Sequence, residues 1–491
     1  MSMTSTEDLA PAARVASDAP RGVFRALVRK EIADQTHGRR FVVGALLCIA
    51  LCALASWIRV EDYRQSHRLR DEFLQRWVPA VQEQLQRDEN VQVENTRAVS
   101  PLTTLSVGLE PTVPFRFSST KEGLRYGETR GAQNTVDALF GYMDVAFIIG
   151  TLLSLLAIAL TFDSICGDRS DGTLAVLLSY PVSRATLLAA KVVGAMAVLI
   201  ACLLPSILIV ALIMIVRGVT LMSLAHWAIY GFAAIVYLLI FVLIGVTVSA
   251  RARHRSEAAL AGLVVWVAFV FIVPRVATVL VNGFASPSRA VELALQEDAV
   301  TSKLKVEFAQ QRQRAFEAYI GAQGSAAAME EFERTVQEAT DAMRTKRRAQ
   351  LARIWDQRDR EEARRQQLVS IASLVSPSAL FSTVAAELCW TGYAQRDHFY
   401  EQSRAYDERV GRNLAESRYM YFAQTGPDGT GRAMITRASI RPYLQPFRST
   451  WIDSSRILRE VILPLVALIV IAGLFYFLAY ESLLRLDVRL S

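Results

Sequence analysis

Cysteine is scarce in this chain, with five residues among 491. Cys48, Cys52 and Cys202 fall in long apolar runs, Cys166 in a short basic loop, and Cys389 alone in the longest polar segment. One cysteine there leaves no partner for an intrachain disulfide, so that segment must be held by packing. The five histidines (His37, His67, His226, His254 and His398) are scattered, with neither HExxH nor another paired-ligand spacing, which removes the sequence argument for a metal site. No GxxxxGK[ST] phosphate loop occurs, so nucleotide binding by that route is excluded. Nothing points to Ser-His-Asp or Cys-His catalysis, and no internal repeat is evident. The formal net charge is +7, yet no basic–aromatic constellation marks a nucleic-acid surface.

What the chain does have is clustered hydrophobicity. Six runs reach or approach the ~20 residues that cross ~30 Å of hydrocarbon: 41–58, 145–162, 192–216, 227–248, 258–281 and 461–480. Their interiors are essentially free of Asp, Glu, His and Lys, the groups that serve as ion relays in membrane pumps. Lys191 and Arg275 sit near run ends, from which they are expected to snorkel. An all-α polytopic membrane protein with six transmembrane helices follows. Basic residues orient it: Arg21, Arg25, Arg29, Lys30, Arg39 and Arg40 precede the first run, and Arg169, Arg184, Arg251, Arg253 and Arg255 lie in two short loops. With Arg485 and Arg489 after the last run, both termini and both short loops are expected in the cytoplasm. A cleavable secretory signal is the rival reading of the first run, but the run is longer than the usual 7–15 apolar residues and begins forty residues into the chain.

The expected plan is a disordered tail (1–20), an amphipathic helix (21–40), span 1 (41–58), an external segment (59–142), span 2 (143–162), a cytoplasmic loop (163–187), span 3 (188–216), span 4 (227–249), a cytoplasmic loop (250–257), span 5 (258–281), a large external domain (282–456), span 6 (457–480) and a tail (481–491). In the amphipathic helix, Phe24, Leu27, Val28 and Ile32 share a face suited to the headgroup region. Residues 61–88 carry Phe73, Trp77, Val81 and Leu85 at helical spacing, while 95–134 read as irregular or strand-containing. Within the large external domain, 288–320 and 326–369 predict a long antiparallel helical hairpin, broken at Gly321–Ser325 and striped by Met329, Phe332, Val336, Ala339 and Met343. Its dense, mixed charge reads as a solvated face. A shorter helical region begins at Ser376-Pro377, and 425–431 is a turn.

The loop after span 2 is the richest stretch. Asp171 or Thr173 is expected to cap a helix of about two turns, with Gly172 allowing a tight entry. Leu174, Leu177 and Leu178 form an apolar ridge, Pro181 ends the helix, and Ser183 caps the next with Arg184 just inside it. A ridge on a short loop in water invites a covering partner; folding back on the bilayer surface is the alternative.

The strings Asn134-x-x-Asp137-Ala-Leu-Phe-Gly141-x-x-Asp144 and Asp163-x-x-Cys-Gly-Asp168-Arg169-Ser-x-Gly172-Thr173-Leu174-x-x-Leu177-Leu178-x-x-Pro181-x-Ser183-Arg184, up to Lys191, resemble the permease subunits of ABC-2 type transporters. The similarity is to the branch with a large external insert between spans five and six, related to permeases of nitrous-oxide-reductase maturation and gliding-motility systems. Val28-Arg-Lys30-Glu31 resembles the family's elbow helix, and Ser376-Pro377 and Thr391-Gly392 resemble turns of the branch's external domain. Asp163 and Asp168 stand where the branch often has Glu, and Ser154 where it often has a span-two proline.

The resemblance implies a bacterial inner-membrane exporter permease, not itself an enzyme, with ATP and Mg held by a separate ATPase. Asp168, Arg169, Gly172, Thr173, Leu174, Leu177, Leu178, Pro181 and Arg184 would form the docking site, or coupling helix, for that ATPase. A second permease copy, identical or a sibling, would complete the unit, and spans two and five would line a path with Ser154, Trp266 and Phe269 as candidates. Small residues (Gly150, Gly194, Gly231, Gly245) would serve close helix packing or a dimer contact. The rival is a force-transmitting scaffold in which the external hairpin acts on a periplasmic partner while nothing crosses the spans.

Overall fold

A computed structural model describes residues 10–86, 92–120, 123–127, 129, 137, 141–180, 182–284, 290–322, 325–415, 420–425, 431–436 and 445–485. Helix α1 (Ala10–Thr36) starts inside the stretch expected to be a disordered tail. Helix α2 (Arg39–Gln86) fuses the first span and the helix expected after it into one rod of 48 residues. No Gly or Pro lies between Ile58 and Val78, so nothing interrupts the hydrogen-bond ladder where the apolar run ends.

Span 2 is α3 (145–161), then come two short helices, α4 (Cys166–Ser170) and α5 (Thr173–Ser179). Spans 3 and 4 are α6 (Arg184–Val216) and α7 (Leu224–Arg251); span 5 is α8 (255–284). Six helices are long and apolar enough to cross a membrane. Their packing is uneven: 72% of the apolar window of α7 is buried inside the protein, against 11% for α8. Span 4 is therefore the bundle's axis, and the rest of the chain leaves most of the span 5 surface uncovered. Gly245 makes the tightest approach, since a Cβ there would fall 1.9 Å from Thr161 Oγ1. Gly194 likewise faces Glu31, whereas Gly150 and Gly231 have nothing within 4 Å. Two of the four expected packing glycines thus work within the bundle.

Both α3 and α8 contain a π-helical turn, Ile149–Leu153 and Ala268–Ile272. In each, a backbone N–H reaches back five residues, Ser154 to Ile149 and Val273 to Ala268. The carbonyls skipped, Gly150 and Phe269, need other donors. Gly150 accepts from Tyr237 Oη and Ser154 Oγ, both at 2.6 Å. Phe269 accepts from Ser376 Oγ at 3.2 Å and Ser378 Oγ at 2.9 Å. In α8 the cause is local: Pro274 has no N–H to continue the ladder.

Outside the bundle, β1 (Gln92–Thr96), β2 (Arg116–Thr120) and β3 (Gly123–Tyr126) form an antiparallel sheet in sequence order. The expected hairpin is α9 (Ala290–Gly321) and α10 (Ala326–Ser373). Phe316 and Phe332 meet across it with ring centroids 6.0 Å apart. Helix α11 (Pro377–Leu388) enters the bundle's end, stacking Phe381 on Tyr237 at 4.8 Å. Helix α12 (Tyr393–Ala415), strands β4 (Met420–Thr425) and β5 (Gly431–Thr436), and span 6, α13 (Ser454–Leu484), complete the chain. An aromatic core joins the sheet to α12: Phe117 meets Phe399, Tyr406 and Phe447 edge-on at 4.9–6.1 Å.

Candidate coupling site

Helix α5 has seven residues, too few to persist in water without support. Its entry is Gly172, whose φ of 71° lies in the left-handed region that glycine tolerates. Gly172 occupies the cap position and supplies no side chain, so neither Asp171 nor Thr173 plays the expected capping role. Thr173 Oγ1 instead donates back to Asp168, to its carbonyl oxygen at 3.1 Å and to Oδ1 at 3.0 Å. The helix stops at Ser179, and Tyr180 is extended (ψ 157°), the geometry favoured before proline. Pro181 itself lies outside the described residues. Ser183 caps α6 as expected, accepting from Thr186 N at 3.1 Å.

The apolar ridge points inward. Leu174 is 1% exposed, and Leu177 and Leu178 are half-buried against the main core. The three leucines therefore anchor the helix to its own bundle, which corrects their reading as an uncovered docking ridge. The residues turned outward are Thr173, Ala175, Val176, Ser179 and Tyr180. Val176 and Tyr180 are 58% and 63% exposed and lie one turn apart. Periodicity located the helix but not its orientation, because both faces carry apolar residues.

Around α5 the polar residues form a collar. Lys191 Nζ donates to Glu31 Oε1 at 2.8 Å, Ser164 O at 2.6 Å and Asp168 Oδ2 at 2.6 Å. Its side chain is 2% exposed, so it is buried in an ion cluster rather than snorkelling. Lys30 approaches Asp168 Oδ1 at 3.5 Å. The cluster ties α1, α4 and α6 together, and removing one member of such a group leaves an unpaired charge.

Arg169 donates to Ala252 O at 2.7 Å, past the end of α7, and Ser249 Oγ accepts from Ile165 N and Cys166 N at 2.9 and 3.1 Å. Arg184 donates to Leu483 O at 2.9 Å and Leu484 O at 2.5 Å; its charge lies on the last carbonyls of α13, a favourable placement. Arg255 pairs with Asp171 at 2.5 Å on the surface. Of the nine predicted docking residues, Asp168, Arg169, Leu174 and Arg184 thus hold the loop to the bundle, while Thr173, exposed, bonds back to Asp168 within the loop. Sequence reasoning missed Glu31, Lys30 and Ser249. The charges in Lys30-Glu31 were visible, but not their partner 160 residues away.

The candidate path residues come together in part. Trp266 Nε1 donates to Ser154 Oγ at 2.9 Å, with Ser154 fully buried and Trp266 8% exposed. Phe269 lies apart, its ring against Phe475 at 6.0 Å. Spans 2 and 5 are thus in contact at this level.

The model of the ABC-2 family transporter protein matches residues 25–396, from the first helix through the hairpin to the start of α12. The chain belongs to the ABC-2 transporter family. Among characterised sequences it resembles the probable ABC transporter permease protein NosY of Stutzerimonas stutzeri, 34% identical over 128 residues, or 25% of this chain and 45% of that relative. The protein of the same name in Pseudomonas aeruginosa is 32% identical over 126 residues, with the same coverage of each chain. The match thus spans under half the length of either relative. Family membership and six membrane-length helices together make this ABC-2 protein a multi-pass membrane protein.

Proposed function

We propose that the chain is the membrane-spanning permease subunit of an ABC-2 exporter, a transport subunit driven by a separate ATPase that holds ATP and Mg. The ATPase docks on α5 through Val176 and Tyr180. The observation that carries this reading is the two-sided character of α5: one face is sunk in the bundle at Leu174 and the other is bare. A helix so mounted passes force to whatever it is fastened to. Here that is α1 and α6 through Lys191, α7 through Arg169 and Ser249, and α13 through Arg184. Two permeases, a bacterial inner-membrane location and cytoplasmic termini complete the proposal, supported by the basic flanks and by the permease relatives.

Conduction between spans 2 and 5 would require Trp266 to leave Ser154. The test is Val176→Asp combined with Tyr180→Asp. The variant should keep the wild-type melting temperature in detergent yet no longer co-purify with the ATPase. Unchanged stoichiometry would refute docking on this face.

A second reading, the force-transmitting scaffold, draws support from the fastening of the external domain to span 5 through Ser376 and Ser378 on Phe269 O. Movement of span 5 would then move α10 and α11 directly. On this reading, removing residues 326–369 spares ATPase binding and abolishes physiological output; retained output would make the hairpin dispensable.

A further inference from the structure

An elongated groove of about 970 Å³ lies in the external domain, walled by β3, α9, residues 347–369 of α10 and residues 393–404 of α12. At ~1.5 Å per residue, the α10 wall alone is roughly 33 Å long. An extended polypeptide advancing ~3.3 Å per residue would need about ten residues to run the length of that wall.

The lining chemistry narrows the occupant. Six arginines and six carboxylates line the groove, a balance that disfavours a polyanion. Half of these groups pair with one another: Arg396 donates to Glu362 and Arg404 to Asp359, both at 2.9 Å, and Arg365 and Asp397 join the first pair. Two half-buried groups are not spent. Among the described residues, the Arg358 guanidinium makes no hydrogen bond or ion pair; it lies over the rings of Trp355 (5.0 Å) and Tyr400 (5.7 Å), with Glu297 as a charged neighbour. Glu297 has charged neighbours but no hydrogen-bond donor among those residues. Arg358 and Arg404 both lie over Trp355, taking the stacking surface a sugar ring would use. Finally, among the described residues β3 is an outer strand of its sheet, and its Leu124, Arg125 and Tyr126 line the groove. An outer strand is the element to which extended peptides add.

We propose that this groove binds an extended, charge-balanced polypeptide segment of a partner protein, laid along β3, with Arg358 donating to its carbonyl or carboxylate oxygens and Glu297 accepting from its amides. The proposal concerns the groove alone and is independent of the docking assigned to α5.

The test begins with photoreactive benzoylphenylalanine placed at position 366, in the groove, or at position 353, exposed on α10 outside it. The full chain is irradiated in native membranes and the adducts are sequenced. A polypeptide adduct specific to position 366 is expected. The captured segment, made as a synthetic peptide, should bind the full chain in nanodiscs. Arg358→Gln and Glu297→Gln should each weaken that binding at least tenfold at unchanged melting temperature, while Arg353→Gln leaves it within twofold. A glycan or lipid adduct, no adduct, or peptide binding indifferent to both groove variants would overturn the proposal. A peptide from a cytoplasmic protein that meets the binding criteria would support the groove while overturning the membrane orientation.

Discussion

In the collar around α5, Lys191 has three oxygen acceptors within 2.8 Å and a side chain only 2% exposed. In the outer groove, Arg358 leans on two aromatic rings, with no carboxylate in contact among the described residues. One region consumes its charges internally and the other holds some in reserve. A fully paired buried cluster makes neighbouring helices one mechanical body, since separating them exposes unpaired charge. A half-buried cation among rings costs less to keep and remains available to an incoming acceptor. The collar is saturated with its own partners; the groove is not.

The sharpest way to break this contrast is at Lys191. Lys191→Met leaves Glu31 without its cation and Asp168 with only Lys30 and Thr173, with an expected loss of about 3–5 kcal/mol, read as a fall in melting temperature in detergent. Adding Glu31→Gln and Asp168→Asn should restore much of it; no recovery would mean that the lysine acts by volume rather than charge.

Next comes α5 itself. Leu174→Ala should cost about 2–4 kcal/mol through the cavity it opens, whereas Val176→Ala and Tyr180→Ala should each stay within about 0.5 kcal/mol. Equal losses at all three positions would erase the distinction between inner and outer faces.

The region around α11 and α12 also offers a pH test. Burial lifts the Glu387 carboxyl from 4.5 to about 7, partly opposed by N–H donors from Tyr393 and Ala394. The folded state then holds a proton that the unfolded chain releases, so stability is highest below about pH 4.5 and declines as pH rises through about 7. The span is roughly 3 kcal/mol at most. Asp407, lifted by burial to about 6, adds a slope of the same sign. Glu387→Gln should remove the part of the decline that runs on to about pH 7 and leave the part that ends near 6; an unchanged profile would place the titration elsewhere.

The smallest effects separate buried from exposed fastenings. Ser378→Ala, which leaves Phe269 O one donor, should cost about 1 kcal/mol. Arg255→Gln, breaking a pair more than half exposed on both sides, should cost less than about 0.5 kcal/mol. A reversed order in chemical melts would show that surface pairing, not burial, holds the loop.

The architecture was largely legible beforehand. Six apolar runs, the break at Gly321–Ser325 and the stop after Ser179 are local signals, and the helices formed where these allowed. The fusion of span 1 with its external continuation was legible too, in the lack of any breaker between Ile58 and Val78, yet the change from apolar to polar suggested two elements. The candidate site was half legible. Composition identified α5, but assigned its leucines outward because an amphipathic pattern says that a face is covered without saying by what. The π-turns gave no periodic signal, since a single bulge shifts the register by only one residue; Pro274 was the one local hint in α8.

Hydropathy and chain breakers, which act over a few residues, fixed by sequence alone how many helices cross the membrane and where the loop helix begins and ends. Only the tertiary structure decided which way that helix faces, because its orientation depends on contacts between residues far apart: Glu31 with Lys191, Arg169 with Ala252, and Arg184 with Leu483. No local pattern encodes such pairs, since each forms only once the bundle has brought helix ends together and excluded the water that would otherwise solvate them.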